Sequence, residues 1–261
     1  MTDSSEPGQP AAFSYPGHGP NARIGVAICH GFTGSPLSVL PWARQLAEQG
    51  FAVRVPLLPG HGTSWLDLAR TTWRQWQGTF AEATEELARS VDQVFVAGLS
   101  MGGAIALHTA SQHSVAGVCL VNPGLSFYDK RIWVIGVLKF FQRSVVPKVE
   151  ECSTAPATAD GDYSRTPLAA VHELKKLFSA SIRALPAVTA PVLVFRSVTD
   201  DVVPPSSLAI IRHGLAERPR VVDLPNSGHV ATLDTDANVI FAGTVDFIRL
   251  HSSSESARET P

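Results

Sequence analysis

Apolar and polar positions change rhythm along this chain in a regular way. Runs rich in β-branched and small apolar residues, "RIGVAICH" (23–30), "FAVRVPLL" (51–58), "VDQVFVAGL" (91–99) and "VAGVCLVN" (115–122), read as buried strands. Between them stand "PLSVLPWARQLAEQG", "WRQWQGTFAEATEELARS" and "MGGAIALHTASQH", which read as helices with a buried face. Strand and helix alternating this way predict an α/β fold: a mainly parallel sheet with helices on both faces, because each parallel crossover must return over a face of the sheet.

The alternation stops after Asn122 and resumes at "PVLVFRS" (191–197), followed by helix "PSSLAIIRHGL", strand "RPRVVDLP" and a last helix, "ANVIFAGTVDFIRL". Residues 124–187 therefore read as an insertion, a small cap over the sheet edge, with helical patterns at 130–143 and 167–182 on either side of "STAPATADGDYSRTP". Residues 1–20 and 251–261 are polar and aperiodic, which predicts mobile ends on a single domain spanning 21–250.

Composition narrows the classes without changing this plan. The 261 residues are 44% hydrophobic and 17% charged, a globular balance that suits one α/β domain. A formal net charge of −2 and the lack of a basic run argue against a nucleic-acid partner. The N-terminal stretch has neither the basic nor the apolar region of a secretory signal. The most apolar segment, "RIWVIGVLKFFQRSVV", is broken by Lys139 and Arg143, short of the roughly 20 residues a membrane span needs. Cys29, Cys119 and Cys152 are odd in number and lack CxxC spacing, so no structural disulfide is expected and a cytoplasmic location fits.

In an open parallel sheet, ligands bind beyond the carboxyl ends of the strands. Polar groups fall there in "HGFTGS" (30–35), "GLSMGG" (98–103), "SVTDD" (197–201) and "NSGHVATLD" (226–234). Ser100 lies in a GxSxG run between a strand and a helix, where Gly98 and Gly102 permit a sharp turn that holds the hydroxyl outward. A serine hydroxyl needs a base within hydrogen-bond reach and a third group to orient that base. Of nine histidines, His18, His108, His113, His172, His213 and His251 fall in helices, the insertion or the ends, whereas His30, His61 and His229 follow strands. His229, in a glycine-flanked loop after the last strand, is the candidate base; His30 and His61 read as organisers of their own loops. Asp200 and Asp201 compete for the orienting carboxylate. The chain order serine, aspartate, histidine is that of α/β-hydrolases. The backbone N–H groups of Met101 and Phe32 are placed to stabilise an oxyanion. No metal or other cofactor is implied, since the histidines lack zinc-site spacing.

Taken together, "HGFTGSP", "PGHGTSWLDLARTTWRQW", "VAGLSMGG", "VTDDVVPP" and "NSGHVATLDTD" resemble the bacterial monoacylglycerol lipases and small carboxylesterases of the α/β-hydrolase superfamily, over about residues 24–250. The resemblance implies nucleophile Ser100, base His229, oxyanion donors Phe32 and Met101, and Asp200 rather than Asp201 as the acid. It also implies a cap over an acyl-binding tunnel, with Asp160 at the position of a cap carboxylate that holds the alcohol end of the substrate. The expected activity is hydrolysis of a small-molecule ester or acylglycerol through an acyl-enzyme, with lipid-surface contact through the cap. A carboxylesterase, thioesterase or acyltransferase on the same residues is the alternative, and a non-catalytic ligand-binding scaffold the remote one.

Overall fold

The computed structural model describes residues 11–129, 144–145 and 165–252. Strands β1 (Phe13–Tyr15), β2 (Ile24–Cys29), β3 (Ala52–Val55), β4 (Gln93–Leu99), β5 (Gly117–Val121), β8 (Val192–Ser197) and β9 (Arg220–Leu224) form one sheet in the order β1-β3-β2-β4-β5-β8-β9. Every neighbouring pair is parallel except β1 with β3. A separate antiparallel pair joins β6 (Ser144–Val145) to β7 (Thr166–Pro167).

The helices are α1 (Leu40–Glu48), α2 (Trp65–Leu68), α3 (Trp73–Ala88), α4 (Met101–Ala110), α5 (Leu168–Ala184), α6 (Ser206–Gly214) and α7 (Ala237–Ser252). Successive strand residues point to opposite faces. Ala27, Cys29, Val94, Val96, Val118, Leu120 and Val194 therefore meet Trp76 and Phe80 of α3, α4, Leu177 of α5 and Ile211 of α6. Val26, Ile28, Phe95, Ala97, Cys119, Val121 and Phe195 meet Trp42 and Leu46 of α1 and Ile240 and Ile248 of α7. The runs that read as buried on both faces are buried on both faces, as a doubly covered parallel sheet requires. Helix α3 starts with a reciprocal capping box: Thr72 Oγ1 accepts from the Gln75 N–H, and Gln75 Oε1 accepts from the Thr72 N–H.

Three boundaries differ from the sequence expectation. The polar, aperiodic pattern of 1–20 predicts a mobile lead-in, yet Phe13–Tyr15 pairs with β3 and is the edge strand; three residues are too few to display a period. The pattern reads 124–187 as a cap insertion, yet α5 belongs to the helical layer, with Leu177 fully buried and Ser181 Oγ donating to Ala104 O of α4 at 2.9 Å. Helix α7 continues through His251 to Ser252. The helical pattern at 130–143 and Asp160 lie outside the described residues.

Register sets the site. Cys29 pairs with Gly98, Leu99 with Val121, Val121 with Phe195, and Ser197 with Leu224. Strands β2, β4, β5, β8 and β9 therefore end along one edge, and the residues that leave them are neighbours although far apart in sequence.

Candidate active site

Between β4 and α4 the chain reverses within a single residue. Ser100 has φ 56° and ψ −118°, outside the regions that an L-residue prefers, a geometry that costs roughly 1–3 kcal/mol and persists only where its surroundings hold it. They do so through the backbone: Ser100 N–H donates to Val121 O at 2.9 Å, and Ser100 O accepts from Gly103 N–H and Gly124 N–H at 3.0 Å each. The flanking glycines answer to space rather than flexibility. A Cβ on Gly98 would lie 2.2 Å from Gly102 O, and one on Gly102 would lie 2.2 Å from Cys29 O.

The turn presents Ser100 Oγ to His229 Nε2 at 2.9 Å. On the far side of the ring, Nδ1 lies 2.9 and 3.0 Å from the carboxylate oxygens of Asp200. Asp200 Oδ1 also accepts from the Val202 and Val203 N–H groups, at 2.9 Å each, which orients the carboxylate in its own turn. The side chains of His229 and Asp200 are only 13% and 7% exposed, so the hydrogen-bonded chain runs beneath the surface. Asp201, the rival from the sequence, is solvent-exposed, and the carboxylate at His229 Nδ1 is that of Asp200.

The loop after β2 faces the serine from the other side: an added Cβ on Gly31 would sit 3.6 Å from Ser100 Cβ. Among the described residues, neither the Phe32 nor the Met101 N–H donates to another protein group, which leaves both available to a ligand oxygen. His30 fastens this loop to the one after β3. Its Nδ1–H donates to Gly31 O at 2.9 Å and its Nε2 accepts from Leu58 N–H at 3.2 Å. Its ring lies 5.1 Å from that of His61, which with Trp76 packs against Phe32. Burial, and for His30 also the neighbouring His61, push the two imidazoles down to about 3 and about 4, so both are neutral at neutral pH. His61 donates from Nδ1 to Pro59 O, while its buried Nε2 has no hydrogen-bond partner among the described residues. Both rings act as loop organisers, as their positions after strands suggested.

Sequence reasoning missed the residues that hold the histidine loop. Asp236 accepts from the backbone and side-chain amides of Asn226 at 2.7 and 3.1 Å, and Asp234 Oδ2 accepts from Gly228 N–H at 2.9 Å. The only available signal was a pair of aspartates just before a helix, which reads as ordinary capping. Asn122 was also missed; it had marked only where the alternation ends. A serine, an imidazole and a carboxylate in this arrangement can carry out nucleophilic acyl transfer, in which the base takes a proton from the hydroxyl and later returns it.

A family model described as the alpha/beta hydrolase family matches residues 26–242. A thermostable monoacylglycerol lipase from a Bacillus species is 33% identical over 241 residues, covering 91% of this chain and 95% of the relative. Among solved structures, one reported for the metagenome-derived lipolytic enzymes LipS and LipT is 32% identical, with a TM-score of 0.85 over 94% of this chain and 99% of the other. The monoacylglycerol lipase of Paleococcus ferrophilus shares the fold at 17% identity, with a TM-score of 0.73 over 92% of this chain and 98% of that one.

Proposed function

The chain belongs to the alpha/beta hydrolase family, and from that premise we propose that it is a serine-dependent carboxylic ester hydrolase of the monoacylglycerol-lipase type. The observation that carries the reading is the unbroken hydrogen-bonded chain from Ser100 Oγ through His229 to Asp200, anchored on a strained turn. Ser100 Oγ attacks the ester carbonyl while His229 Nε2 takes its proton. Asp200 holds the Nδ1–H tautomer and stabilises the imidazolium that forms. The Phe32 and Met101 N–H groups receive the negative charge that develops on the carbonyl oxygen. His229 then protonates the leaving alcohol, and an ester of Ser100 remains. In the second half, water gives its proton to His229, its oxygen attacks the acyl carbon, and fatty acid leaves as Ser100 recovers its proton.

Kinship with a monoacylglycerol lipase supports an acylglycerol with one acyl chain as substrate. Exposed apolar side chains at the carboxyl edge of the sheet, Leu66, Tyr128, Val198 and Val202, support contact between this rim and a lipid surface. No helix of the described residues is long and apolar enough to cross a membrane. The free, buried thiols of Cys29 and Cys119 are compatible with a reducing, cytoplasmic setting.

The test is a panel of mono-, di- and triacylglycerols and simple esters of graded chain length, run with Ser100→Ala beside the parent. Monoacylglycerols should give the highest kcat/KM, and Ser100→Ala should lower turnover by roughly 10⁴-fold or more. Undiminished turnover by Ser100→Ala refutes the mechanism. A preference for short simple esters leaves the mechanism standing and refutes the lipase assignment.

A further inference from the structure

Asn122 closes β5 at the junction of all three reacting groups. It is buried, with 2% exposure, and takes a left-handed φ of 44°, a region that asparagine tolerates better than most residues. Its neighbours on both sides hold the nucleophile: Val121 O accepts from Ser100 N–H, and Gly124 N–H donates to Ser100 O. Its own N–H donates to Phe195 O on β8, the strand that leads to Asp200.

The side-chain amide uses both its N–H donors and its oxygen on the strand that leads to Asp200 and on the histidine loop. Oδ1 accepts from Ser197 N–H at 2.7 Å; Nδ2 donates to Ser197 Oγ and to His229 O at 2.8 Å each, with Gly228 O at 3.3 Å. Ser197 Oγ in turn donates to Gly228 O at 2.7 Å. The orientation of the amide is dictated by these partners, because a flipped amide would set N–H against N–H and oxygen against oxygen. Asp234 and Asp236 bind the histidine loop at Asn226 to Gly228, on the side of α7. Asn122 ties residue 229 itself to the sheet edge that also carries Ser100 and the approach to Asp200.

We propose that Asn122 is a positioning residue for catalysis, a latch that sets the distance between His229 and the Ser100 turn; this rests on the reading of Ser100, His229 and Asp200 as the reacting groups. The bond from Nε2 to Oγ depends on where the loop carries the imidazole, and a misplacement of about 1 Å can cost about 100-fold in rate. A purely conformational role, filling a left-handed position, makes a different prediction. Glycine would satisfy that role fully, whereas it removes the latch.

The experiment compares Asn122→Gly, Asn122→Asp and Ser197→Ala with the parent in the full-length chain, each confirmed folded by circular dichroism. Asn122→Asp replaces both N–H donors with an oxygen that faces carbonyl oxygens. The first two should lower kcat about 10- to 100-fold with KM within about twofold, and Ser197→Ala should fall between them and the parent. The loss in the Asn122→Gly, Ser197→Ala double variant should be smaller than the product of the single losses, because both act through one network. The downfield proton resonance of His229 Nδ1–H should broaden or vanish in Asn122→Gly and persist in Ser100→Ala. A kcat within about twofold of the parent for folded Asn122→Gly overturns the proposal, as does a loss confined to KM. If Asn122→Asp does not fold, the glycine and Ser197→Ala variants decide. An active Ser100→Ala defeats the triad reading, whereas an inactive Ser100→Ala beside a fully active Asn122→Gly defeats the latch alone.

Discussion

Replacing Gly102 with alanine should disable the site through one methyl group. The new Cβ would stand 2.2 Å from Cys29 O, 2.7 Å from Cys29 C and 2.7 Å from His30 O. All three are backbone atoms at the end of β2, so no side chain can rotate out of the way. Ordinary contact begins at 3.4 Å, so the first turn of α4 and the end of β2 must separate by about 1 Å. That separation moves Ser100 and Met101 away from Phe32, which lies two residues beyond His30. Overpacking of this kind costs about 1–3 kcal/mol of stability. At about 2–4 °C per kcal/mol for a domain of this size, Tm should fall by roughly 2–12 °C. Misalignment of about 1 Å should lower kcat/KM by about 100-fold, equivalent to about 2.7 kcal/mol of transition-state stabilisation. Gly78→Ala supplies the control of opposite sign. A Cβ there meets nothing within 4 Å inside α3, so it should stabilise by about 0.5–1 kcal/mol and leave activity unchanged. The assay is hydrolysis of a short-chain nitrophenyl ester together with thermal unfolding followed by circular dichroism. A Gly102→Ala protein with parental Tm and kcat/KM within about threefold of the parent would refute the claim that this glycine is required by backbone contact.

Two further predictions address the carboxylate and the buried imidazoles. Asp200→Asn should lower kcat by about 10⁴-fold, while Asp201→Asn, on an exposed side chain, should stay within about threefold; the reverse ranking would reassign the acid. His30 and His61 are held neutral by burial, at about 3 and about 4, against about 6.5 in an unfolded chain. The unfolded state therefore binds more protons below pH 6.5, so the stability these groups contribute is complete above that pH and is lost as the pH falls toward 4 and then 3. Unfolding at pH 5 should take up protons, measurable by calorimetry in buffers of different ionisation enthalpy. Unfolding without proton uptake at that pH would show the imidazoles to be accessible.

The elements were legible because their signals are local. β4 and β5 announce themselves as apolar runs, and α3 as a stretch with one apolar face, all within a few residues. The candidate nucleophile was legible for the same reason, since the strand, the two glycines and the helix that force the turn at Ser100 are contiguous. β1 was missed because three residues pairing at an edge display no period. The sequence pattern of α5 showed that it buries one face but not which surface covers it, and only packing against α4 assigns it to the body.

What the sequence by itself determined is the order of the main strands and helices, the tight turn at Ser100 and the kinds of side chain available at the strand ends, because each depends on neighbours in the chain. Tertiary structure alone decided which of these side chains meet. The parallel register ends β2, β4, β5, β8 and β9 at one edge, placing the His229 imidazole between Ser100 Oγ and the Asp200 carboxylate, contacts that chain order alone does not specify. It likewise brought the Asn122 amide to the carbonyl of His229, across 107 residues of sequence. Hydrogen bonds act over about 3 Å and depend on direction, so no pattern along the chain can specify them before the sheet is assembled.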